Sequence, residues 1–179
     1  MKKLLLKNCR LVNEGNITER DILIKNDRID KIASGIPADN ARVIDVSGKH
    51  VIPGIIDDQV HFRDPGLTHK ADIYTESKAA LAGGVTSFME MPNTIPNAVT
   101  KNILEEKYQK AAAISQANFS FYMGTDNENP GEAVSIDPEK VCGIKIFMGG
   151  STGNMLVDDQ KTLEKVYSEA PCLVAIHSE

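Results

Sequence analysis

The sequence predicts an α/β protein in which a small β unit precedes the first part of a (β/α)8 barrel of the TIM type. Three observations lead to this fold class. Short strand-like segments fill residues 1–52, strands and helices alternate over residues 53–179, and no glycine-rich phosphate loop follows the first strand of the alternating part. We therefore divide the chain into a sandwich-type β domain, residues 1–52, and a barrel portion, residues 53–179.

The β domain is predicted from three strand-like segments, KLLLKNCRLVN, ITERDILIKNDRIDKIA and ARVIDV. Polar turn residues at 13–16, 26–27 and 47–48 punctuate these segments, as is typical of short paired strands. The dipeptide Pro53-Gly54 marks the point at which this pattern gives way to an alternation of strands and helices.

The barrel portion is predicted from five strands that are separated by crossover segments. In chain order the strands are GIIDDQVHF, VTSFMEM, FSFYMG, GIKIFMG and CLVAIHS. Helices are predicted in HKADIYTESKAALA, which ends before Gly83-Gly84, near residues 101–114 and near residues 159–169, with a looser helical stretch after the third strand. Strands that are joined by such crossovers pair in parallel.

Two architectures fit this alternation, an open doubly wound sheet and a (β/α)8 barrel. The open sheet would carry a glycine-rich phosphate loop after its first strand, and the sequence has none there. A complete barrel has eight strands and about 250 residues. We therefore expect the later strands to be absent from these 179 residues, and we expect two unpaired sheet edges to favour association or poor solubility.

The composition argues against several classes of function. The chain is 41% hydrophobic with a formal net charge of -5 and has no basic stripe, which argues against a nucleic-acid partner. No apolar segment is long enough for a membrane span or for the core of a signal peptide. The three cysteines, Cys9, Cys142 and Cys172, have no paired spacing and indicate buried thiols in a reducing compartment, so we expect a cytoplasmic protein.

The stretch DDQVHFRDPG carries the first candidate site residues. Because side chains alternate along a strand, one face presents Asp57, Gln59, His61 and Arg63. In a barrel this face would line the interior at the C-terminal mouth, where barrel enzymes place their active sites. A lone histidine is more often part of a structural hydrogen-bond network than a metal ligand, so His61 by itself does not decide between these roles.

Two later strands present basic residues to the same interior. In GIKIFMGG, Ile144 and Ile146 face one way and Lys145 faces the other, and in CLVAIHSE, His177 lies inward at the strand end. A buried ammonium group is costly, so Lys145 must lose its charge, react covalently or pair with a carboxylate. Such residues at three strand ends converge on one mouth in a barrel, and histidine and oxygen donors from separate strands are what a zinc hydrolase uses.

Four segments together resemble a class I dihydroorotase of the amidohydrolase superfamily. They are GIIDDQVHFRDPGLTHK, GGVTSFMEMPNTIPN, GIKIFMGGSTGNMLVDD and LVAIHSE. The resemblance runs from about residue 1 to the last residue and includes the small β domain that precedes the barrel in this family. It implies a metallohydrolase barrel of which this chain contains the N-terminal portion.

The resemblance implies a role for each residue that matches the family motifs. His61 matches a ligand of the more buried metal ion, and His177 matches a ligand of the second ion. Lys145 matches the lysine that is N-carboxylated and bridges the two ions in many relatives. Arg63 and Asn93 match the pair that binds the substrate carboxylate, a task that suits the planar fork of a guanidinium group.

Gln59 departs from the family pattern, which has a metal-binding histidine at this position. A glutamine amide oxygen is a weaker zinc ligand than imidazole, so the resemblance implies one or two zinc ions, with Gln59 as a weak metal ligand. A further metal histidine and the catalytic aspartate would follow on strands beyond residue 179.

The activity that the resemblance implies is that of a zinc-dependent dihydroorotase, which interconverts (S)-dihydroorotate and N-carbamoyl-L-aspartate in de novo pyrimidine (UMP) biosynthesis. Two alternatives stay open. A hydantoinase or dihydropyrimidinase shares the barrel and the lysine, although its substrates lack the carboxylate that Arg63 would bind. A non-catalytic dihydroorotase-like subunit that supports an aspartate transcarbamoylase would explain Gln59. The implied partners are a small-molecule substrate, a second copy of the chain in a homodimer, or an aspartate transcarbamoylase.

Overall fold

The computed structural model describes residues 2–150 and 154–178. The chain divides into two compact units, Met1–Pro53 and Gly54–Glu179. An N-terminal β sheet forms the first unit, and a parallel sheet with helices forms the second. The predicted fold class is confirmed.

The first unit is a mixed sheet in which the second strand follows the first through a tight hairpin. Its strands are β1 (Lys3–Asn13), β2 (Asn16–Lys25), β3 (Arg28–Ala33), β4 (Arg42–Asp45) and β5 (His50–Val51). The sheet order is β3-β2-β1-β4, and β5 also pairs with β1. Glu14 and Gly15 form the turn between β1 and β2 with φ values of 48° and 75°, the left-handed conformation that a two-residue hairpin requires.

A bulge in β1 is held by one buried carboxylate. The register between β1 and β2 shifts between Leu6 and Cys9, where Asn8 has a φ of 59°. Asp21 Oδ1 accepts a hydrogen bond from the Asn8 backbone N–H at 3.0 Å, and Asp21 Oδ2 accepts one from Lys7 Nζ at 2.9 Å. The residue left unpaired by the bulge therefore finds its partner in the Asp21 side chain.

The second unit is a run of β/α repeats. Its elements are β6 (Ile55–Val60), α1 (Ile73–Ala82), β7 (Val85–Glu90), α2 (Lys101–Ile114), β8 (Asn118–Gly124), α3 (Pro130–Val134), β9 (Gly143–Phe147), α4 (Gln160–Glu169) and β10 (Val174–His177). The strands pair in parallel in the order β10-β9-β8-β7-β6, which is chain order. Sequential parallel pairing without a reversal is the pattern of a barrel, so the structure is a five-strand half-barrel.

The helices begin where their caps predict. The N-cap side chains of the three longer helices, Asp72, Thr100 and Asp159, each accept a backbone N–H from the first turn. Helix α2 has the predicted bounds, whereas α1 begins at Ile73, four residues later than the segment in which it was predicted. The Asp72 cap and a hydrogen bond from the Ile73 N–H to the Asp64 carboxylate fix this later start.

The core of the second unit lies between the sheet and the helices. Phe62, Phe88, Ile144 and Ile146 belong to one buried cluster that includes residues of α1, α2 and α4. The rings of Phe62 and Phe88 are 4.5 Å apart at their centroids, and Ile144 and Ile146 are fully buried. Because side chains alternate, the intervening Lys145 faces the opposite side of the sheet, as the sequence pattern predicted.

The three cysteines are free thiols in the structure. Cys9 is buried and the other two are half-buried, and burial raises the pKa of Cys142 to about 11. The thiol of Cys142 is therefore protonated and weakly nucleophilic at neutral pH. Within residues 2–150 and 154–178, no helix is long and apolar enough to cross a membrane.

Candidate active site

The ends of strands β6 and β7 bring His61 and Asn93 into direct contact. The Met91 N–H donates to the Val60 carbonyl at 3.0 Å, which continues the pairing of the two strands up to their C-terminal ends. His61 follows β6, and Asn93 lies in the loop after β7, where their Nδ1 and Oδ1 atoms are 2.8 Å apart. With the amide oxygen as acceptor, Nδ1 carries the proton and Nε2 keeps its lone pair, the state that a metal-binding histidine needs.

The candidate residues of three strands lie close enough to affect one another electrostatically. The pKa of His61 is lowered, first by burial and then by the positive charges of Arg63, Lys145 and His177, while the hydrogen bond to Asn93 opposes the shift. These electrostatic effects agree with the predicted convergence of the side chains on one mouth, which stays a prediction. Their chemical roles stay predictions.

Lys145 is the most confined basic group of this cluster. It is 3% exposed in the middle of β9, and burial lowers the pKa of its ammonium group. Its Nζ lies 4.9 Å from the ring centroid of Phe147, whose ring is 5.9 Å from that of His177. Among the residues that the structure describes, no carboxylate pairs with Lys145, so no opposite charge in this part of the chain offsets its burial.

Arg63 has two energetically unfavourable features, a left-handed backbone and a buried side-chain atom that is unpaired in the described structure. Its φ of 63° places a non-glycine residue in the left-handed region, and its backbone carbonyl accepts a hydrogen bond from Leu67 at 3.0 Å. Its Nη1 atom is buried and has no hydrogen-bond partner within the described parts of the chain. An unpaired buried guanidinium N–H costs on the order of 1–3 kcal/mol, a penalty that an anionic ligand would remove.

Gln59 lies in β6, two residues before His61, and is exposed. Its backbone N–H donates to Asp57 Oδ1 at 3.1 Å. No hydrogen bond from its side-chain amide to the cluster is found in the described structure. Its weak metal binding stays a prediction.

The donor set fits a metal ion under one condition. In the described structure, no group of three His, Cys, Asp or Glu side chains is arranged to hold an ion. By the family resemblance, His61 and His177 would each supply a nitrogen donor, to different ions, and Lys145, once carboxylated, would supply an oxygen donor. Within the described residues, the buried ammonium of Lys145 has no carboxylate partner, and this observation favours the modification.

Four charged residues behind the mouth form two ion pairs that were not predicted from the sequence. Lys107 Nζ lies 2.8 Å from Glu90 Oε2, and both side chains are 1% exposed. Lys110 pairs with Asp64, which is also 1% exposed. A signal was available, because Glu90 shares the parity of the core residue Phe88 and Lys107 lies on the buried face of α2.

Comparison with protein families identifies the group to which these features belong. The family model described as "Dihydro-orotase-like" matches residues 48–147, more than half of the chain. The chain belongs to the dihydroorotase-like family. The resemblance in the sequence motifs is confirmed, and the matched segment contains every candidate site residue except His177.

Curated relatives carry two names. The L-hydantoinase of Paenarthrobacter aurescens is 32% identical over 185 residues, which cover 100% of this chain and 40% of that protein. A dihydroorotase of Bacillus cytotoxicus is 43% identical over 151 residues, which cover 83% of this chain and 35% of that protein. The chain therefore spans about 40% or less of the length of these relatives.

Solved structures agree with the fold. The L-hydantoinase from Arthrobacter aurescens superposes with a TM-score of 0.90 at 29% identity. The match covers 100% of this chain and 41% of the hydantoinase chain. A D-hydantoinase superposes with a TM-score of 0.84 at 26% identity. The half-barrel and the β sheet before it thus match the N-terminal part of hydantoinase barrels.

Proposed function

We propose that this chain contributes the substrate-binding and metal-binding mouth of a zinc-dependent dihydroorotase, which interconverts (S)-dihydroorotate and N-carbamoyl-L-aspartate. Arg63 carries the proposal, because its buried Nη1 lacks a partner within the described chain beside His61. A substrate carboxylate would satisfy that atom. Guanidinium groups bind carboxylates through two parallel hydrogen bonds, which orient the ligand as well as hold it.

The residues of this chain would divide the work between binding and metal support. Arg63 binds and orients the carboxylate, and Asn93 keeps the His61 ring in the tautomer that exposes Nε2. His61 and His177, as donors to different zinc ions, and carboxylated Lys145 would hold the metal, which would supply Lewis acidity at the ring amide when bound.

The modification of Lys145 follows from its burial. The neutral amine attacks carbon dioxide, and a C–N bond forms as one C=O π bond opens to a C–O⁻. The nitrogen then releases a proton to water, which leaves a carbamate with one negative charge. The lowered pKa of Lys145 favours the neutral amine that this step requires.

A cyclic amidase of the hydantoinase type is the second candidate function. The L-hydantoinase that matches 100% of this chain with a TM-score of 0.90 favours it. Hydantoin and dihydrouracil lack the ring carboxylate, so they leave Arg63 Nη1 unpaired, and this is why we place the dihydroorotase reaction first.

A non-catalytic subunit that supports an aspartate transcarbamoylase is a third reading, and Gln59 in place of a metal histidine is the feature that favours it. Homodimer formation and a cytoplasmic location are further proposals, which rest on the family resemblance and the three free thiols.

The test uses the longest natural polypeptide that contains these residues. Hydrolysis of dihydroorotate, hydantoin and dihydrouracil is measured after chelation and again after zinc is restored. Zinc-dependent turnover of dihydroorotate above the other two supports the proposal, and turnover restricted to hydantoin or dihydrouracil selects the second candidate. A folded protein without turnover that co-purifies with the transcarbamoylase selects the third.

A further inference from the structure

Two carboxylates that the proposed chemistry does not use lie directly behind the mouth. Glu90 is the last residue of β7, Asp64 follows Arg63, and both are 1% exposed. Each pairs with a lysine of α2, Glu90 with Lys107 and Asp64 with Lys110. The two lysines are three residues apart and therefore lie on the same side of the helix.

Lys107 holds the strand end from which the Asn93 loop departs. Its Nζ contacts Glu90 Oε2 at 2.8 Å and donates a hydrogen bond to the Met91 carbonyl at 3.2 Å. The same atom lies 4.9 Å from the ring centroid of Phe121, which closes the site from the side of β8. Asn93 lies two residues past Met91, so the hydrogen bond from Lys107 fixes the backbone from which the Asn93 loop starts.

Lys110 holds the other loop. Its partner Asp64 also accepts a hydrogen bond from the Ile73 N–H at 3.3 Å, so this carboxylate links the loop after β6 to the start of α1 and to the second half of α2. Arg63 directly precedes Asp64 and has the left-handed backbone conformation described above.

The two loops also contact each other directly. The Ile95 N–H donates to the Pro65 carbonyl at 3.1 Å. Gly66 has a φ of 84°, and a Cβ atom at this position would lie 2.1 Å from the Ile95 carbonyl oxygen. The loops after β6 and β7 therefore form one packed unit, which Lys107 and Lys110 tie to α2.

Stability alone does not account for charged groups at these positions. A buried ion pair commonly stabilises a fold no better than apolar residues of similar size, because desolvation offsets the attraction. We propose that Lys107 and Lys110 are positioning residues that hold Asn93 and Arg63 at the spacing that a substrate carboxylate requires. This inference rests on the proposed function, since it takes Arg63 and Asn93 as the carboxylate-binding pair.

The test replaces the buried pair as a whole in the longest natural polypeptide. The paired variant Glu90→Met with Lys107→Met leaves no charge unpaired but removes the hydrogen bond to Met91. The matched control is Lys165→Met with Glu169→Met, an exposed ion pair of 2.6 Å on α4. The probe is orotate, the unsaturated analogue of dihydroorotate. It keeps the carboxylate but lacks the saturated ring of the substrate, so it serves as a ligand that is not hydrolysed.

Two quantities are measured, the Kd of orotate and the hydrogen exchange of the loop amides. In the paired variant we expect the Kd to rise about tenfold and the Ile95 and Ala98 amides to exchange faster, because a displaced loop separates the groups that bind the ligand. For dihydroorotate, we expect the KM to rise more than kcat falls. The control should match the parent in all of these measurements.

A folded paired variant with the parent's Kd and loop exchange would overturn the positioning role. If the paired variant does not fold, Lys110→Met replaces it, since Lys110 is partly exposed, and an unchanged Kd there would have the same meaning. A parent protein that neither binds orotate nor hydrolyses dihydroorotate overturns the proposed function instead. Hydrogen exchange of the loop amides is measured without substrate. It therefore distinguishes failure of the positioning role from failure of the proposed function.

Discussion

Two buried carboxylates, one in each unit, pair with lysine in different ways. Asp21 in the β unit accepts hydrogen bonds from Lys7 and from backbone N–H groups on two neighbouring segments, all between 2.9 and 3.0 Å. Glu90 in the half-barrel has the Lys107 ammonium at 2.8 Å as its close partner. The hydrogen bonds, first that from the Asn8 backbone, lower the pKa of Asp21, whereas burial raises the pKa of Glu90 against the opposing charge of Lys107.

The two buried carboxylates stabilise different features, a bulge within a strand and a loop after a strand. The backbone donors around Asp21 cannot change their charge, so this carboxylate stabilises the bulge of β1 itself. Glu90 can be neutralised by a proton, and its partner also binds the Met91 carbonyl. We therefore assign Asp21 to the stability of the fold and Glu90 to the position of a loop.

The largest expected effect follows from Asp21→Ala. The change leaves the Asn8 and Ile36 N–H groups without their acceptor, and we expect the β unit to lose about 3–5 kcal/mol of unfolding free energy. Because the folded pKa of Asp21 is lowered, its contribution is present at neutral pH and is lost as the pH falls below about 4. Hydrogen exchange of the β1 and β2 amides between pH 3 and 7 measures both.

The control for this prediction is Asp30→Ala, which removes a carboxylate paired with Lys25 at 2.8 Å on the surface of the same unit. We expect a loss of less than about 1 kcal/mol. Equal losses for the two variants would contradict the special position of Asp21.

Lys107→Met should have the next largest effect, with the opposite dependence on pH. It leaves Glu90 buried without a cation, at a cost of about 3 kcal/mol above neutral pH. Because burial raises the folded pKa of Glu90, protonation favours the folded state, so the stability is retained below about pH 4.3 and falls as the pH rises through the raised value. Denaturant unfolding at pH 5 and pH 8 measures the change, and a loss that is the same at both pH values would contradict it.

The sequence predicted the architecture and the strand face of Lys145 because both follow from local periodicity. Alternation along β9 places Lys145 opposite Ile144 and Ile146, and the strand-helix repeats give a parallel sheet in chain order. His177 ends its strand, as predicted, whereas β6 ends at Val60, so His61 follows the strand in which it was predicted. These features depend on which face a residue occupies, which a period of two determines.

The remaining features depend on contacts between distant segments. The bulge at Asn8 depends on Asp21, thirteen residues away, and the left-handed Arg63 depends on the packing of a whole loop. The pairing of Glu90 with Lys107 joins a strand end to a helix, and neither position alone names its partner. Periodicity predicts that charged residues such as Glu90 and Lys107 are buried, but it does not identify the partner that neutralises each charge.

Lys110→Met should have a smaller effect than Lys107→Met. Lys110 is 42% exposed, and its partner Asp64 retains the hydrogen bond from Ile73. We expect a loss of about 1–2 kcal/mol, because water already screens the partly exposed Lys110 ammonium and the buried Asp64 carboxylate keeps its backbone donor. Denaturant unfolding beside Lys107→Met measures the difference, and a loss as large as that of Lys107→Met would show that exposure does not distinguish the two lysines.

The smallest effect is expected from Lys165→Met. Lys165 and Glu169 are one turn apart on α4, with 39% and 51% of their side chains exposed. Water already solvates both charges, so neither carries a desolvation penalty that its partner must offset, and the pair should contribute about 0.3–0.5 kcal/mol. Unfolding at low and high salt measures it, since screening should remove most of this contribution while leaving that of Lys107 nearly intact. A loss above about 1 kcal/mol would mean that burial is not what separates the pairs of this protein.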